Sequence, residues 1–164
     1  LTLCEGKPQN RKRLQNELLQ LQRDPPVGIS VNPKTASNTL TSWSVDVTGA
    51  PGSLYEGENF QLQFTFGKRY PFDSPEVIFT GGNIPVHPHV YSNGHICLSI
   101  LTEDWSPALS VQAVCLSIVS MLSSCTVKVR NAPQTTHFMS ERAVKVPRKQ
   151  NGGIMMTKFD EARR

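Results

Sequence analysis

The stretch Ser42-Trp-Ser-Val-Asp-Val-Thr48, the turn residues Gly49-Ala-Pro-Gly52 and the later Asn59-Phe-Gln-Leu-Gln-Phe-Thr-Phe66 decide the fold. Trp43, Val45 and Val47 alternate with polar neighbours, and so do Phe60, Leu62, Phe64 and Phe66. This two-residue period is that of half-buried strands, and the Gly/Pro turn between them makes the pair antiparallel. Outward from this pair, Val77 to Phe79 predicts a further short strand between Tyr70-Pro-Phe-Asp-Ser-Pro75 and Gly81-Gly82, and Val31 begins an earlier edge strand. Further out, Leu14, Leu18 and Leu21 recur at helical spacing between Arg11-Lys-Arg13 and Asp24-Pro-Pro26, which predicts an amphipathic helix over about 10–23 that the prolines stop. Ser110 is an N-cap candidate for a second helix, whose Val111, Val114, Cys115, Ile118, Val119 and Leu122 share one face. A run of strands with helices segregated to its ends is an α+β domain, a helix packed on one face of an antiparallel meander.

A chain of 164 residues with 38% apolar content fits one domain and buries a core without disulfide or metal support. Cys4, Cys97, Cys115 and Cys125 are too few and too irregular for a disulfide framework, and no C-x-x-C pair points to a structural zinc. A reducing, intracellular setting is expected. No signal peptide or membrane span is expected, because no apolar run is long enough. Charge is uneven: residues 1–125 hold 8 Lys/Arg against 10 Asp/Glu, and residues 126–164 hold 9 against 3. The basic tail is either a solvated segment or a salt-sensitive contact for nucleic acid or an acidic partner.

Residues 80–109 show neither helical nor strand period, and so long an ordered connection is usually functional. It carries Cys97, whereas Cys115 falls on the apolar stripe of a helix and Cys125 at that helix's end. A thiol on a core face is packing; one in an irregular segment among histidines is a nucleophile candidate. The ligand types for a metal are present in His87, His89, His95 and Cys97, but their spacing follows no established zinc pattern.

His87-Pro88, Asn93-Gly94, Ile96-Cys97-Leu98, Ile100-Leu101 and Trp105-Ser-Pro-Ala-Leu109 resemble the active-site signature of the ubiquitin-conjugating enzymes. The spacing agrees too, since the family's active cysteine follows the His of a His-Pro-Asn tripeptide by ten positions, as Cys97 follows His87. The resemblance extends through Lys12-Arg-Leu14, Glu17-Leu18, Asp24-Pro-Pro26, Trp43, Gly49-Ala-Pro-Gly52, Leu54-Tyr-Glu-Gly57 and Tyr70 to Pro75, and fades beyond about Arg130. It implies a four-stranded meander with flanking helices. The domain plan is then an N-terminal extension over 1–9, a ubiquitin-conjugating core over 10–130 and a divergent basic tail over 131–164, with at most a short helix near Phe138 to Val146.

The resemblance implies a chemistry as well: Cys97 accepts ubiquitin from an activating enzyme as a thioester and passes it to a substrate amine. The tripeptide here is His87-Pro88-His89, so His89 stands where the family usually has the asparagine that stabilises the aminolysis oxyanion. An imidazole can still donate one hydrogen bond there. By the same resemblance His87, Asn93 and Ser99 support the site. Together with Tyr91-Ser-Asn-Gly-His95, this variant is similar to the W-type enzymes, which modify substrate N-termini. An α-amine has a pKa near ~8 against ~10.4 for lysine, so its neutral fraction near pH 7 is larger by on the order of a few hundredfold. The site is correspondingly poor in lysine-activating groups. Ser99 replaces an Asp that many lysine-directed members carry, and Asn131-Ala-Pro-Gln-Thr-Thr136 offers no match to a later acidic gate residue. Glu103 and Asp104 are orienting carboxylates or merely solvated loop acids.

The resemblance also assigns contacts with the activating enzyme and with RING or U-box ligases to Arg11, Lys12 and Arg13, and ligase contacts to Phe72, Pro107 and Ala108. Trp105 is expected to be a structural wedge under the second loop. Partners are ubiquitin, those enzymes and protein substrates with accessible N-termini. Cofactors, metals and membranes are not expected, nucleic acid is not favoured, and the implied location is cytoplasm and nucleus. The alternative is a catalytically weak or silent adaptor of the same fold.

Overall fold

The four strands β1 (Ile29–Val31), β2 (Ser42–Thr48), β3 (Asn59–Thr65) and β4 (Glu76–Thr80) pair in sequence order, each antiparallel to the next. The computed structural model describes residues 8–32 and 39–129, all within the unit Leu1–Gln134. Most of the N-terminal extension, the basic tail and the helix expected near Phe138 to Val146 lie outside the described residues. Val31 closes β1 rather than opening it, because the strand pairs Ile29 with Val47 and Val31 with Val45.

Register carries the alternation across the sheet. Ile29, Val47 and Phe60 form one apolar row, and Val45, Leu62 and Phe79 the next. A slip of one residue turns every such row to the opposite face, so burial of one face specifies the pairing. Trp43, Val45, Leu62 and Phe64 are fully buried, and burying an apolar side chain of this size contributes about 1.5–3 kcal/mol.

Two helices complete the core. Helix α1 (Pro8–Arg23) buries Leu14 and Leu21 and meets β1 and the second helix, α2 (Val111–Ser123). The Ser110 hydroxyl accepts the Ala113 N–H at 3.2 Å and so caps α2. Its buried stripe is Val111, Val114, Cys115, Ile118, Met121 and Leu122. Val119, expected on that stripe, is only partly buried, and Met121 takes its place. Both positions flank a 3.6-residue stripe, and the neighbouring chain decides which is covered.

One carboxylate joins three segments. Glu17 of α1, itself buried, accepts the Tyr70 hydroxyl at 2.7 Å and the Val111 N–H at 2.7 Å, and pairs with Arg13. Arg13 also donates to the Leu109 carbonyl at 3.0 Å. The Tyr70 ring continues an aromatic row from Trp43 through Phe66 to Trp105. The Trp105 indole N–H donates to the Pro71 carbonyl at 2.8 Å, so this residue is the expected wedge and fastens the 70–75 loop to the 105–109 loop.

Candidate active site

None of the four strands lies between residues 80 and 99, in keeping with the lack of period there, but residues 89–97 close a short hairpin. Val90 pairs antiparallel with Ile96, the Tyr91 N–H bonds the His95 carbonyl at 2.9 Å, and the Cys97 N–H bonds the His89 carbonyl at 2.8 Å. Val90 is buried and Ile96 partly so, while His89, His95 and Cys97 are exposed. The arms are three residues long, too short for periodicity to register in the sequence. The legible signal was Asn93-Gly94, a turn dipeptide flanked by apolar residues.

Gly94 docks this hairpin on the sheet. Its carbonyl accepts the Phe79 N–H at 2.8 Å, and His95 bridges Ile78, so the hairpin covers the open edge of β4. Gly94 has φ of +87°, and a Cβ there would stand 2.0 Å from the Phe79 carbonyl oxygen. Both the left-handed backbone and the close approach demand glycine. Asn93 sits at the hairpin tip, where its Oδ1 accepts the His95 N–H at 3.2 Å.

Within this hairpin Cys97 and His89 are directly opposed, which places their side chains as neighbours on one face. Cys97 is held by the backbone carbonyl of residue 89, whatever the side chain there. His87 fixes the near end. Its Nδ1 accepts the His89 N–H at 2.9 Å, so the neutral ring carries its proton on Nε2 and donates to the Met121 carbonyl, 3.2 Å away. Burial and the neighbouring His89 lower its pKa below the usual histidine value, against the Met121 carbonyl, which raises it. His87 is thus a neutral strut between the hairpin and the last turn of α2.

A groove of about 490 Å³ opens at Cys97, between segment 87–89, segment 97–99 and the residues that follow α2. Met121, Cys125, Val127 and Val129 line its far side. No described lining residue is a carboxylate, a lysine or an arginine. Ser99 lines it and opens a short 3-10 turn, Ser99–Leu101, whose first carbonyl accepts the Thr102 and Asp104 N–H groups at 2.9 Å each. Glu103 and Asp104 are exposed and do not line the groove; Glu103 accepts the Thr102 hydroxyl, which holds its carboxyl below the usual range. Cys115 is buried and its thiol is pushed up to about 12 by desolvation, as befits packing. Among the described residues no group of three or more His, Cys, Asp or Glu converges as a metal site.

The family model described as "Ubiquitin-conjugating enzyme" matches residues 13–148, past Arg130 and into the tail. The chain belongs to the ubiquitin-conjugating enzymes. It is 64% identical over 139 residues to "Probable ubiquitin-conjugating enzyme E2 W-A" of Danio rerio, covering 85% of this chain and 91% of the relative. It is 62% identical over 117 residues to "Ubiquitin-conjugating enzyme E2 W" of Caenorhabditis elegans, covering 71% and 77%. The crystal structure of the ubiquitin conjugating enzyme UbcA1 from Agrocybe aegerita superposes with a TM-score of 0.70 at 46% identity, over 75% of this chain and 88% of that one. This is therefore a W-type conjugating enzyme, a transferase that works through a cysteine thioester with ubiquitin, an activating enzyme and ligases as partners.

The candidate partner contacts of this conjugating enzyme divide in two. Arg11 and Lys12 are exposed on α1, and Phe72, Pro107 and Ala108 are exposed on the two loops that Trp105 joins. Arg13 is engaged inside the fold by Glu17 and the Leu109 carbonyl, so it braces the helix instead of presenting a free charge. Sequence reasoning missed Glu17 and Gly94 as site supports, and Val127 and Val129 as groove walls.

Proposed function

We propose that Cys97 is the cysteine that carries ubiquitin and that the loaded enzyme discharges it to the α-amino group of a protein substrate. Loading is thioester exchange: the Cys97 thiolate attacks the ubiquitin carbonyl held on the activating enzyme, and that enzyme's thiolate leaves. In discharge a neutral amine attacks the Cys97 thioester, the C–N bond forms, the C–S bond then breaks with Cys97 leaving as thiolate, and the amine's proton passes to solvent. His89, opposed to Cys97, donates a hydrogen bond to the oxyanion that forms between these steps. Phe72, Pro107 and Ala108 meet a RING or U-box ligase, with Arg11 and Lys12 beside them.

The observation that carries this reading is the exposed Cys97 thiol on a groove whose described lining holds no carboxylate. A lysine ammonium must lose a proton before it attacks, and among the described lining residues there is no carboxylate to take it. An α-amine near pH 7 has a neutral fraction on the order of a few hundredfold larger than that of lysine, so it needs less help from a local base. The enzyme is incubated with activating enzyme, ubiquitin and ATP, and a reductant-sensitive adduct forms that Cys97→Ala abolishes. Preloaded enzyme then discharges faster to a peptide with a free N-terminus than to Nα-acetyl-lysine. His89→Ala slows discharge more than loading. Lysine discharge equal to or faster than peptide discharge sinks the N-terminal reading, and an adduct that survives Cys97→Ala sinks the role of Cys97.

A further inference from the structure

We infer that the wall made by Met121, Val127 and Val129 is a subsite for the first side chain of the acceptor, and that it favours an apolar, uncharged first residue. This rests on the N-terminal reading above. In an α-amine acceptor the attacking nitrogen is bonded to Cα, so the first side chain begins only about 2.5 Å from it. In a lysine acceptor the reacting nitrogen stands about 6 Å from its own Cα, at the end of a methylene stem. An N-terminus that reaches Cys97 therefore brings its first side chain into the groove, whereas a lysine brings only methylenes. The groove walls discriminate among N-termini and are blind to the sequence around a lysine.

The wall is a built feature. Lys128 turns away from the groove to pair with Glu58, and its ammonium lies 4.8 Å from the centre of the Tyr55 ring. Cys125 donates to the Val127 carbonyl at 3.1 Å and its sulfur lies 3.5 Å from the Tyr55 hydroxyl, which donates to the Val86 carbonyl at 2.6 Å. These contacts pin residues 125–128 to the connection between β2 and β3 and to the irregular segment that leads into the 89–97 hairpin. Val127 and Val129, on either side of Lys128, line the groove and remain 60% and 51% exposed, which is apolar area that an acceptor side chain covers. Met121, at the end of α2, lines the groove as well but is itself buried, so most of the exposed apolar area of this wall belongs to Val127 and Val129. The described lining beside this wall offers the neutral hydroxyls of Ser124 and Thr126 but no carboxylate, lysine or arginine, so a first-residue Glu or Arg gives up hydration there without gaining an opposite charge. Apolar contact and the absence of charge act in the same direction, and a difference of about tenfold in discharge rate is expected between Leu and either charged residue.

The test uses the full chain loaded with ubiquitin and single-turnover discharge to lysine-free peptides Xaa-Gly-Ser-Gly-Ser-amide, with Leu, Ala, Glu or Arg as the first residue. Rates are expressed per deprotonated amine, so that differences in amine pKa do not mimic a subsite. The expected order is Leu above Ala, with Glu and Arg about tenfold below Leu. V127E, which places a carboxylate on the wall, lowers the Leu-to-Arg ratio at least about fivefold; as a ratio within one enzyme it does not depend on how much of the variant is loaded. Rates within twofold of one another across the four peptides, or an unchanged Leu-to-Arg ratio in V127E, overturn the subsite. Four equal peptides that all outpace Nα-acetyl-lysine overturn the subsite and leave the N-terminal reading standing. Nα-acetyl-lysine outpacing them all removes that reading and the subsite with it.

Discussion

His87 binds through both ring nitrogens and does so only when neutral, since protonated Nδ1 would face the His89 N–H with a donor of its own. Its pKa is lowered in the fold, so unfolding takes up a proton wherever the unfolded ring titrates first. The stability it supplies is fully present above about pH 6.5 and is lost as the pH falls from there through the depressed folded value, with a slope of at most about 1.4 kcal/mol per unit. Urea midpoints of the wild type should fall over that window, and His87→Asn should flatten the change; parallel curves would count against the strut. Gly94 makes an equally local demand. Gly94→Ala combines a left-handed backbone with a Cβ driven into an immobile carbonyl, and a loss of about 2–4 kcal/mol with slower ubiquitin loading is expected. A loss under about 0.5 kcal/mol would mean that the hairpin docks without the close approach.

At the scale of elements, the active-site hairpin and α2 hold each other. The hairpin covers the edge of β4 through Gly94 and reaches the end of α2 through His87, so the groove forms only when strand edge and helix end are both in place. The other end of α2 is set by Ser110 and by Glu17, which receive the Ala113 and Val111 N–H groups. Ser110→Ala removes one acceptor and leaves the other, so the expected cost is about 1 kcal/mol, read from a urea titration. A cost above about 3 kcal/mol would show that Glu17 cannot hold the helix start without the hydroxyl.

At the scale of the whole described unit, Glu17 ties α1, the loop bearing Phe72 and the start of α2 to a single buried carboxylate. Glu17→Ala leaves the Tyr70 hydroxyl, the Val111 N–H and the Arg13 guanidinium without their acceptor, and a loss of about 3–5 kcal/mol is expected. Arg13→Ala should cost clearly less, because the guanidinium side is 34% exposed and water replaces part of what it loses. Equal losses for the two variants in guanidinium unfolding would place the energy in the ion pair rather than in the carboxylate's hydrogen bonds. Because these segments also present Phe72, Pro107 and Ala108, the Ala variant should lose ligase-stimulated discharge before it loses intrinsic discharge.

The sequence by itself determined the meander, both helices, the Ser110 cap and the contrast between Cys97 and Cys115. Each rests on a local signal: a period of two or 3.6 residues, turn chemistry, or a thiol on or off an apolar stripe. The resemblance singled out Cys97 as the candidate thioester cysteine because it compares spacing along the chain. Tertiary structure alone decided that Arg13 is consumed by Glu17, that Met121 and not Val119 is covered, and that His89 holds Cys97 through its backbone. It also decided that Met121, Val127 and Val129 line the groove beside Cys97. Those outcomes depend on groups brought together from distant parts of the chain, as Glu17 is with Tyr70 and Val111, and no window of sequence contains both partners.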